Sequence, residues 1–229
     1  MNSSEIAFIR HGAYHQPAEV PSALLPHPLT KEGINHAKEG ALELLRCLQS
    51  ANLEIFETLY CSTSLRAYQT AEILLSELEN KTKKKFTLQQ SEDLCERSVG
   101  AMANLTISEI EKIMEKDSRY EVPQKGWKSR PEFKLPYKGA ESLIEAGVRV
   151  GSFVKDRISS LKTRKLIIFV GHGAAFRFAA YHLGHWDIKT ASAHSMYHGR
   201  PVLLKYENQK LVHNLGEWKK RKSTEVPKD

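Results

Sequence analysis

Two short apolar runs in this chain each end in a histidine with glycine beside it. Residues 6–9 lead into Arg10-His11-Gly12, and residues 165–170 lead into Gly171-His172-Gly173. Apart from Lys165 at the start of the second, both runs are apolar throughout, which suits strands buried on both faces. Such strands need helices on either side, and the intervening sequence supplies them. After Thr30-Lys31-Glu32-Gly33, with Thr30 as N-cap, the residues Ala37, Ala41, Leu44, Leu45 and Leu48 recur at helical spacing. Ala67, Ala71, Leu74, Leu75 and Leu78 do the same after Ser64, a second candidate N-cap. Residues 55–61 read as a strand and 86–88 as a weak one. Residues 141–160 read as a helix with Leu143, Ala146, Val150, Phe153, Val154 and Ile158 as its buried stripe. A helix through Ala175, Phe178, Ala179 and Leu183 follows His172. Residues 201–206 and 210–213 form a hairpin around Asn208.

This alternation predicts an α/β fold of three layers, a mostly parallel sheet with helices on both faces. Ligands of such sheets bind outside the carboxyl ends of the strands. His11, His172 and the 62–66 segment all fall at such ends. The chain reads as one domain over residues 1–229, with an excursion at about 101–138 and a basic tail at about 217–229. In the excursion, Pro123, Gly126, Pro131 and Pro136 interrupt regular structure, apart from a helix at 108–115. Trp127, Phe133 and Tyr137 argue against plain disorder, so the segment is read as a cover over the site.

Composition narrows the function. Of the 229 residues, 41% are hydrophobic and 27% charged, a globular balance. No apolar stretch is long enough to span a bilayer. The start of the chain lacks the basic and apolar regions of a signal peptide, so a cytoplasmic location and no membrane partner are expected. Cys47, Cys61 and Cys95 show no metal spacing and read as reduced thiols. The net charge is +7, partly in Lys81, Lys83, Lys84 and Lys85 and in Lys219, Lys220, Arg221 and Lys222. Both runs read as solvated loop or tail. Without interleaved aromatics they give no ground for a nucleic-acid partner, and the remaining excess suits an anionic substrate.

A neutral imidazole can attack phosphorus and form a phosphohistidine. The phosphoryl group needs a rigid set of donors, and arginine offers a planar, permanently charged fork. Arg10 and Arg66 stand near strand ends as candidate clamps. His172 can stabilise the phosphoryl oxygens, and Gly12 and Gly173 allow close backbone approach. Glu96 is the candidate acid for the leaving oxygen and then base for water. Taken singly, each has a plain alternative: a loop histidine, a helix-surface arginine, or, for Glu96-Arg97, an exposed ion pair. Their joint occurrence at strand ends is what selects the phosphoryl-transfer reading.

These motifs resemble those of the histidine phosphatase superfamily, the phosphoglycerate mutase-like proteins. The resemblance rests on Phe8-Ile9-Arg10-His11-Gly12, Leu29-Thr30-Lys31-Glu32-Gly33 and the segment from Tyr60 to Glu72 that carries Ser62 and Arg66. It continues through Leu94-Cys95-Glu96-Arg97-Ser98-Val99-Gly100, Gly139-Ala140-Glu141-Ser142 and Val170-Gly171-His172-Gly173. It implies His11 as nucleophile, Glu96 as acid and base, and Arg10, Arg66, His172 and Gly173 as the phosphate pocket, with no metal and no cofactor. The substrate is then a small-molecule phosphate ester. Ala13-Tyr14-His15-Gln16 and Ser98-Val99-Gly100-Ala101-Met102 depart from the mutase pattern, which favours a metal-independent phosphatase over a mutase. A non-catalytic, phosphate-ester-binding scaffold is the third alternative. His15 reads equally as lining the substrate mouth or as a solvated loop residue. Arg97 binds a second substrate anion or pairs at the surface, and Lys128 and Arg130 are further candidates for leaving-group contacts.

Overall fold

A computed structural model describes residues 4–161 and 164–221. Its main sheet has six strands: β1 (Ser4–Arg10), β2 (Ile55–Ser62), β3 (Thr87–Ser91), β4 (Leu166–Gly171), β6 (Pro201–Glu207) and β7 (Lys210–Leu215), in the order β3-β2-β4-β1-β6-β7. The first four in that order run parallel, and β6 and β7 add an antiparallel edge. A second, two-stranded sheet pairs β5 (His194–Met196) with β8 (Trp218–Lys220).

The strands alternate between two cores. Ile6 and Phe8 of β1 and Ile167 and Phe169 of β4 face α4 (Leu143–Ser159) and α5 (Gly173–His182), where Val150, Val154, Phe176 and Ala179 meet them. Ala7, Ile9, Ile168 and Val170 face the other way, toward Leu44 and Leu48 of α1 (Lys31–Ala51) and Leu74 and Leu78 of α2 (Leu65–Thr82). Both faces of the central strands are therefore apolar, and helices cover each. This is the three-layer, mostly parallel arrangement the sequence implies.

The pairing register places the site. Arg10 lies opposite Gly171, so the next residues, His11 and His172, leave neighbouring strands at one level. The His11 amide donates to the Gly171 carbonyl at 2.9 Å. The chain after β1 can turn under α1 only because two glycines meet there. A Cβ on Gly33 would lie 1.9 Å from the Ala13 carbonyl oxygen, and one on Gly12 2.3 Å from that of Gly33. Thr30 caps α1, accepting from the Gly33 amide at 3.1 Å.

Several details differ from the sequence reading. α4 begins at Leu143, capped by Ser142, and Glu141 stays outside it to pair with Arg149 at 2.7 Å. Ser64 holds the N-cap position of α2 without capping, because its hydroxyl turns to His172. β3 starts at Thr87 rather than Phe86. Lys219 and Lys220 belong to β8 rather than to a loose tail, because pairing with β5 fixes their backbone, and residues 222–229 of the basic run lie outside the described residues. Lys81, Lys83, Lys84 and Lys85 are exposed. All three cysteines are free, but only Cys61 is buried. Between residues 183 and 201 the chain forms α6 (Ile188–Ala193) and β5, elements too short for a readable period.

The 101–138 segment holds α3 (Ile107–Lys116) and single turns at Gly100–Met102 and Trp127–Ser129. It packs on its own small core of Val99, Met102, Ile110, Met114, Trp127, Leu135 and Ala140. A bridge between Val99 and Ala140 closes its neck. Gly100 sits there at φ +62°, and a Cβ would come within 2.3 Å of the Lys138 carbonyl oxygen, so the neck requires glycine. No helix among the described residues is long and apolar enough to cross a membrane.

Candidate active site

Beyond the ends of β1 and β4, the rings of His11 and His172 stand 5.1 Å apart. Both are buried, His11 at 3% and His172 at 0% exposure. Hydrogen bonds set the proton position on each ring. His11 Nδ1 lies 2.8 Å from the Gly12 carbonyl, which can only accept, so Nδ1 carries the hydrogen. Its Nε2 receives Arg66 Nε at 3.2 Å and therefore holds the lone pair. On His172 the order is reversed. Nδ1 accepts from Arg66 Nη2 at 3.2 Å, and Nε2–H faces the hydroxyls of Ser62 at 2.9 Å and Ser64 at 3.2 Å.

Burial holds the pKa of both imidazoles well below the usual histidine value, and neighbouring cations push the same way. For His11, Arg66 comes next after burial, followed by His172 and Arg10. For His172 the cations are Arg66, Arg10 and Arg149. Both rings are thus neutral near pH 7, so the His11 Nε2 lone pair carries no proton and holds only the hydrogen bond from Arg66.

Arg66 is the centre of the pocket. Fully buried on the first turn of α2, it also donates to the carbonyls of Leu25 and Ser22 at 3.1 and 2.9 Å. One guanidinium thus ties both histidines to the proline-rich loop that carries Pro17, Pro21, Pro26 and Pro28. The Tyr14 ring lies 4.7 Å from it and 5.2 Å from the His11 ring. Thr70, one turn along α2, accepts from the Gly12 amide at 2.9 Å and donates to the Arg66 carbonyl at 2.7 Å. Arg10 reaches Met196 O with Nη1 at 3.1 Å, and its side chain packs against Gly173, where a Cβ would meet it at 3.2 Å.

Glu96 approaches from the loop before the excursion and is 4% exposed. Its carboxylate accepts from the amides of Arg97 at 2.9 Å, Ala174 at 3.2 Å and Ala175 at 2.9 Å. It thereby caps the start of α5, whose own N-cap residue, His172, makes no side-chain cap bond. Arg149 steadies this approach by donating to the Asp93 and Cys95 carbonyls at 2.8 and 3.1 Å while bound to Glu141.

The structure thus gathers Arg10, His11, Arg66, Glu96, His172 and Gly173 around one crevice. Arg97 is buried beside Glu96 and donates to the Lys128 carbonyl at 2.9 Å. His15 stands apart, exposed, with its ring edge-on to His27 at 5.7 Å. His194 also lies elsewhere, stacked on Trp186. The sequence places His194 and His198 in a connection that can return toward the pocket and gives neither a role; the structure makes His198 a brace, its Nδ1 2.7 Å from the His11 carbonyl and its ring stacked on His36. Its one sequence signal is a third His-Gly pair, His198-Gly199. The roles of Tyr14, Thr70 and Arg149 carry no motif.

A profile of the histidine phosphatase superfamily (branch 1) matches residues 6–220. No curated protein sequence matches the chain. Among solved structures, mycobacterial hydrolase 2 superposes with a TM-score of 0.67 at 18% identity, covering 98% of this chain and 94% of that one. Mycobacterial glucosyl-3-phosphoglycerate phosphatase gives 0.64 at 17% identity, over 95% and 97%. YhfR from Bacillus stearothermophilus gives 0.67 at 18% identity, over 92% and 95%. At these identities the superpositions establish a shared fold. With the profile spanning nearly the whole chain, this protein belongs to the histidine phosphatase superfamily, branch 1.

Proposed function

We propose that this protein hydrolyses phosphomonoesters through a phosphohistidine formed on His11 Nε2. The observation that carries this reading is the state of the His11 ring. Its Nδ1 is tied to the Gly12 carbonyl, its unprotonated Nε2 faces Arg66, whose Nε–H it accepts at 3.2 Å, and burial keeps the ring neutral. A nucleophile held in this way needs no proton removed before attack.

In the first half-reaction the Nε2 lone pair bonds to phosphorus as the ester P–O bond breaks. Glu96, in its acid form, gives its proton to the leaving oxygen. Arg10 and Arg66 hold the phosphoryl oxygens, and the Nε2–H of neutral His172 is a further donor. In the second half-reaction water attacks phosphorus, its proton passes to Glu96, and the N–P bond breaks to restore neutral His11. The sum is one ester and one water giving one alcohol and one phosphate. A mycobacterial hydrolase and a mycobacterial glucosyl-3-phosphoglycerate phosphatase among the structural neighbours accord with this class of reaction.

The test is turnover of p-nitrophenyl phosphate in the presence of EDTA by the wild type and by His11→Ala. The variant should lose at least about ten-thousand-fold in kcat, as expected for removal of a nucleophile. Acid quench of the wild type during turnover should trap an acid-labile phosphoenzyme. Wild-type-like rates in His11→Ala would sink the reading. Supplying 3-phosphoglycerate should release inorganic phosphate and form no isomer, which separates hydrolysis from mutase activity.

A further inference from the structure

The nucleophile opens a short loop, His11-Gly12-Ala13, and each backbone N–H and C=O of that loop has a partner. The His11 amide donates to Gly171 O at 2.9 Å, and Ala13 O accepts from the Thr30 amide at 3.0 Å. The other four bonds involve side chains. His198 Nδ1 donates to His11 O at 2.7 Å, and the Gly12 amide donates to Thr70 Oγ1 at 2.9 Å. His11 Nδ1 donates to Gly12 O at 2.8 Å, and the Ala13 amide donates to His36 Nδ1 at 3.3 Å.

Two of these partners form one unit. The rings of His36 and His198 lie 5.7 Å apart and only 8° from parallel. The backbone enforces this approach. Gly199 sits at φ +72°, and a Cβ there would lie 2.2 Å from the His36 carbonyl oxygen, so the turn after His198 presses directly on α1. The Gly199 amide also donates to Arg10 O at 2.8 Å, which ties the same turn to the end of β1. Glu32 Oε1 lies 3.6 Å from His36 Nε2 and favours a hydrogen there, leaving Nδ1 to accept. The His198 ring stands 5.5 Å from that of His11 and limits its rotation.

These bonds act on two rigid planes. His11 C=O and Gly12 N–H belong to one peptide unit, and Gly12 C=O and Ala13 N–H belong to the next. His198 and Thr70 hold the first unit from both ends. His36 holds the second by its N–H and so fixes the direction of the Gly12 carbonyl. That carbonyl keeps the hydrogen of His11 on Nδ1. Rotation of the second plane would release Nδ1 and let the hydrogen move to Nε2, the atom that attacks.

We infer that His36 and His198 are positioning residues for the nucleophile, a stacked pair that sets the tautomer and aim of His11 through the peptide planes on either side of Gly12. The inference rests on the phosphatase reading for the step it governs.

The experiment sets ring-keeping against bond-keeping variants. His36→Phe keeps a stackable ring and removes the acceptor, whereas His36→Asn places an oxygen near the position of Nδ1. His198→Phe and His198→Asn treat the donor in the same way. With p-nitrophenyl phosphate, each Phe variant should lower kcat by about tenfold or more and change KM by less than about twofold, because a misaimed nucleophile binds substrate normally and reacts slowly. The Asn variants should recover most of that loss. Nitrogen-15 spectra of the histidine rings, with His11 assigned by its absence in His11→Ala, should show Nδ1–H in the wild type and a shift toward Nε2–H in His36→Phe. A merely structural role would lower the urea midpoint and leave both kcat and the tautomer alone. Wild-type kcat in either Phe variant, or an unchanged His11 tautomer in His36→Phe, overturns the inference. If a Phe variant does not fold, His36→Ala or His198→Ala removes the same bond without added bulk, and the same outcomes apply. If the wild type does not hydrolyse p-nitrophenyl phosphate, the phosphatase reading falls instead. The ring spectra alone then decide the positioning role: a shift toward Nε2–H in His36→Phe supports it, and no shift overturns it.

Discussion

His11 and His172 stand on strands held from every side. β1 and β4 pair with each other, with strands beyond them and with helices on both faces, and Arg66, Thr70 and His198 brace the loops that follow. The 101–138 excursion is held differently. It closes at the Val99–Ala140 bridge, packs around Trp127 on its own apolar cluster, and touches the body through a few bonds such as Ile107 N on Glu19 O and Ile144 N on Pro131 O. The pocket thus moves only if the central sheet moves, whereas the excursion can open as a unit. The candidate site lies on the first, and the second meets it where Arg97 donates to the Lys128 carbonyl.

The strongest way to break this division is at Arg66, which joins both histidines to the proline-rich loop. Arg66→Met removes donors from His11, His172, Ser22 and Leu25 at once. The kcat/KM for p-nitrophenyl phosphate should fall at least about a thousandfold, since losing one preorganised donor already costs about a hundredfold or more. Arg66→Lys should fall nearly as far, because an ammonium cannot reproduce the fork. The division fails if the lysine variant keeps more than about a tenth of wild-type activity.

Trp127→Ala tests the other side. Trp127 is 1% exposed and fills the centre of the excursion core, with Phe133 beside it and its indole N–H donating to Glu111 at 3.1 Å. Its loss should cost about 3–5 kcal/mol. That cost should appear first as local opening, with rapid proteolysis within 101–138 and p-nitrophenyl phosphate turnover kept within a few-fold. A single cooperative transition shared by the excursion and β1–β4 amides in hydrogen exchange would show instead that the two regions fold as one.

Acid should separate the two regions in the opposite sense. His11 and His172 have folded-state pKa values below the value near 6.5 that they take when unfolded. Between those limits the unfolded chain binds more protons, so stability rises with pH through this window and falls as pH drops below about 7. Each histidine contributes a slope of up to about 1.4 kcal/mol per pH unit. The excursion contains no histidine, and Asp117 within it, drawn down to about 2 chiefly by its bond from Arg119, keeps its charge. Urea midpoints from pH 7.5 to 5.5 should fall in the wild type and less steeply in His172→Asn. Saturating vanadate should flatten the slope, because the bound anion favours imidazolium. An identical slope in wild type and His172→Asn would remove His172 from the account.

The sequence discloses these two regions unequally, for physical reasons. β1 and β4 are legible because strands buried on both faces must be apolar throughout, and each ends where a polar histidine meets glycine. α1 is legible because Thr30 and the helical period agree. The bracing residues are not legible in the same way. His198 lies 187 residues from the carbonyl it bonds, and its position depends on how α6 and β5 return the chain, elements too short to show a period. Glu96 reads as a candidate acid, but its hold on the amides of Ala174 and Ala175 is a tertiary fact. Arg177 reads as one more residue of a helix, and only the crossing of α5 with β5 and β8 brings it near Arg221. Arrangements of this kind are assembled from residues with no common motif, so the two histidines are readable and the groups that brace them are not.

The mildest probe of the comparison is the cap of α3. Thr106 accepts from the Glu109 amide at 3.2 Å, and Glu109 returns the contact to the Thr106 amide at 2.7 Å, a reciprocal pair that satisfies two donors at the helix start. Thr106→Ala should cost about 1 kcal/mol. Because α3 contributes Ile110 and Met114 to the excursion core alone, that cost should stay within the excursion. Amides in the second half of α3 should exchange about fivefold faster, while those of β1 and β4 keep wild-type rates. If the sheet amides accelerate by the same factor, the excursion opens only with the whole molecule, and its independence from the histidine pocket is lost.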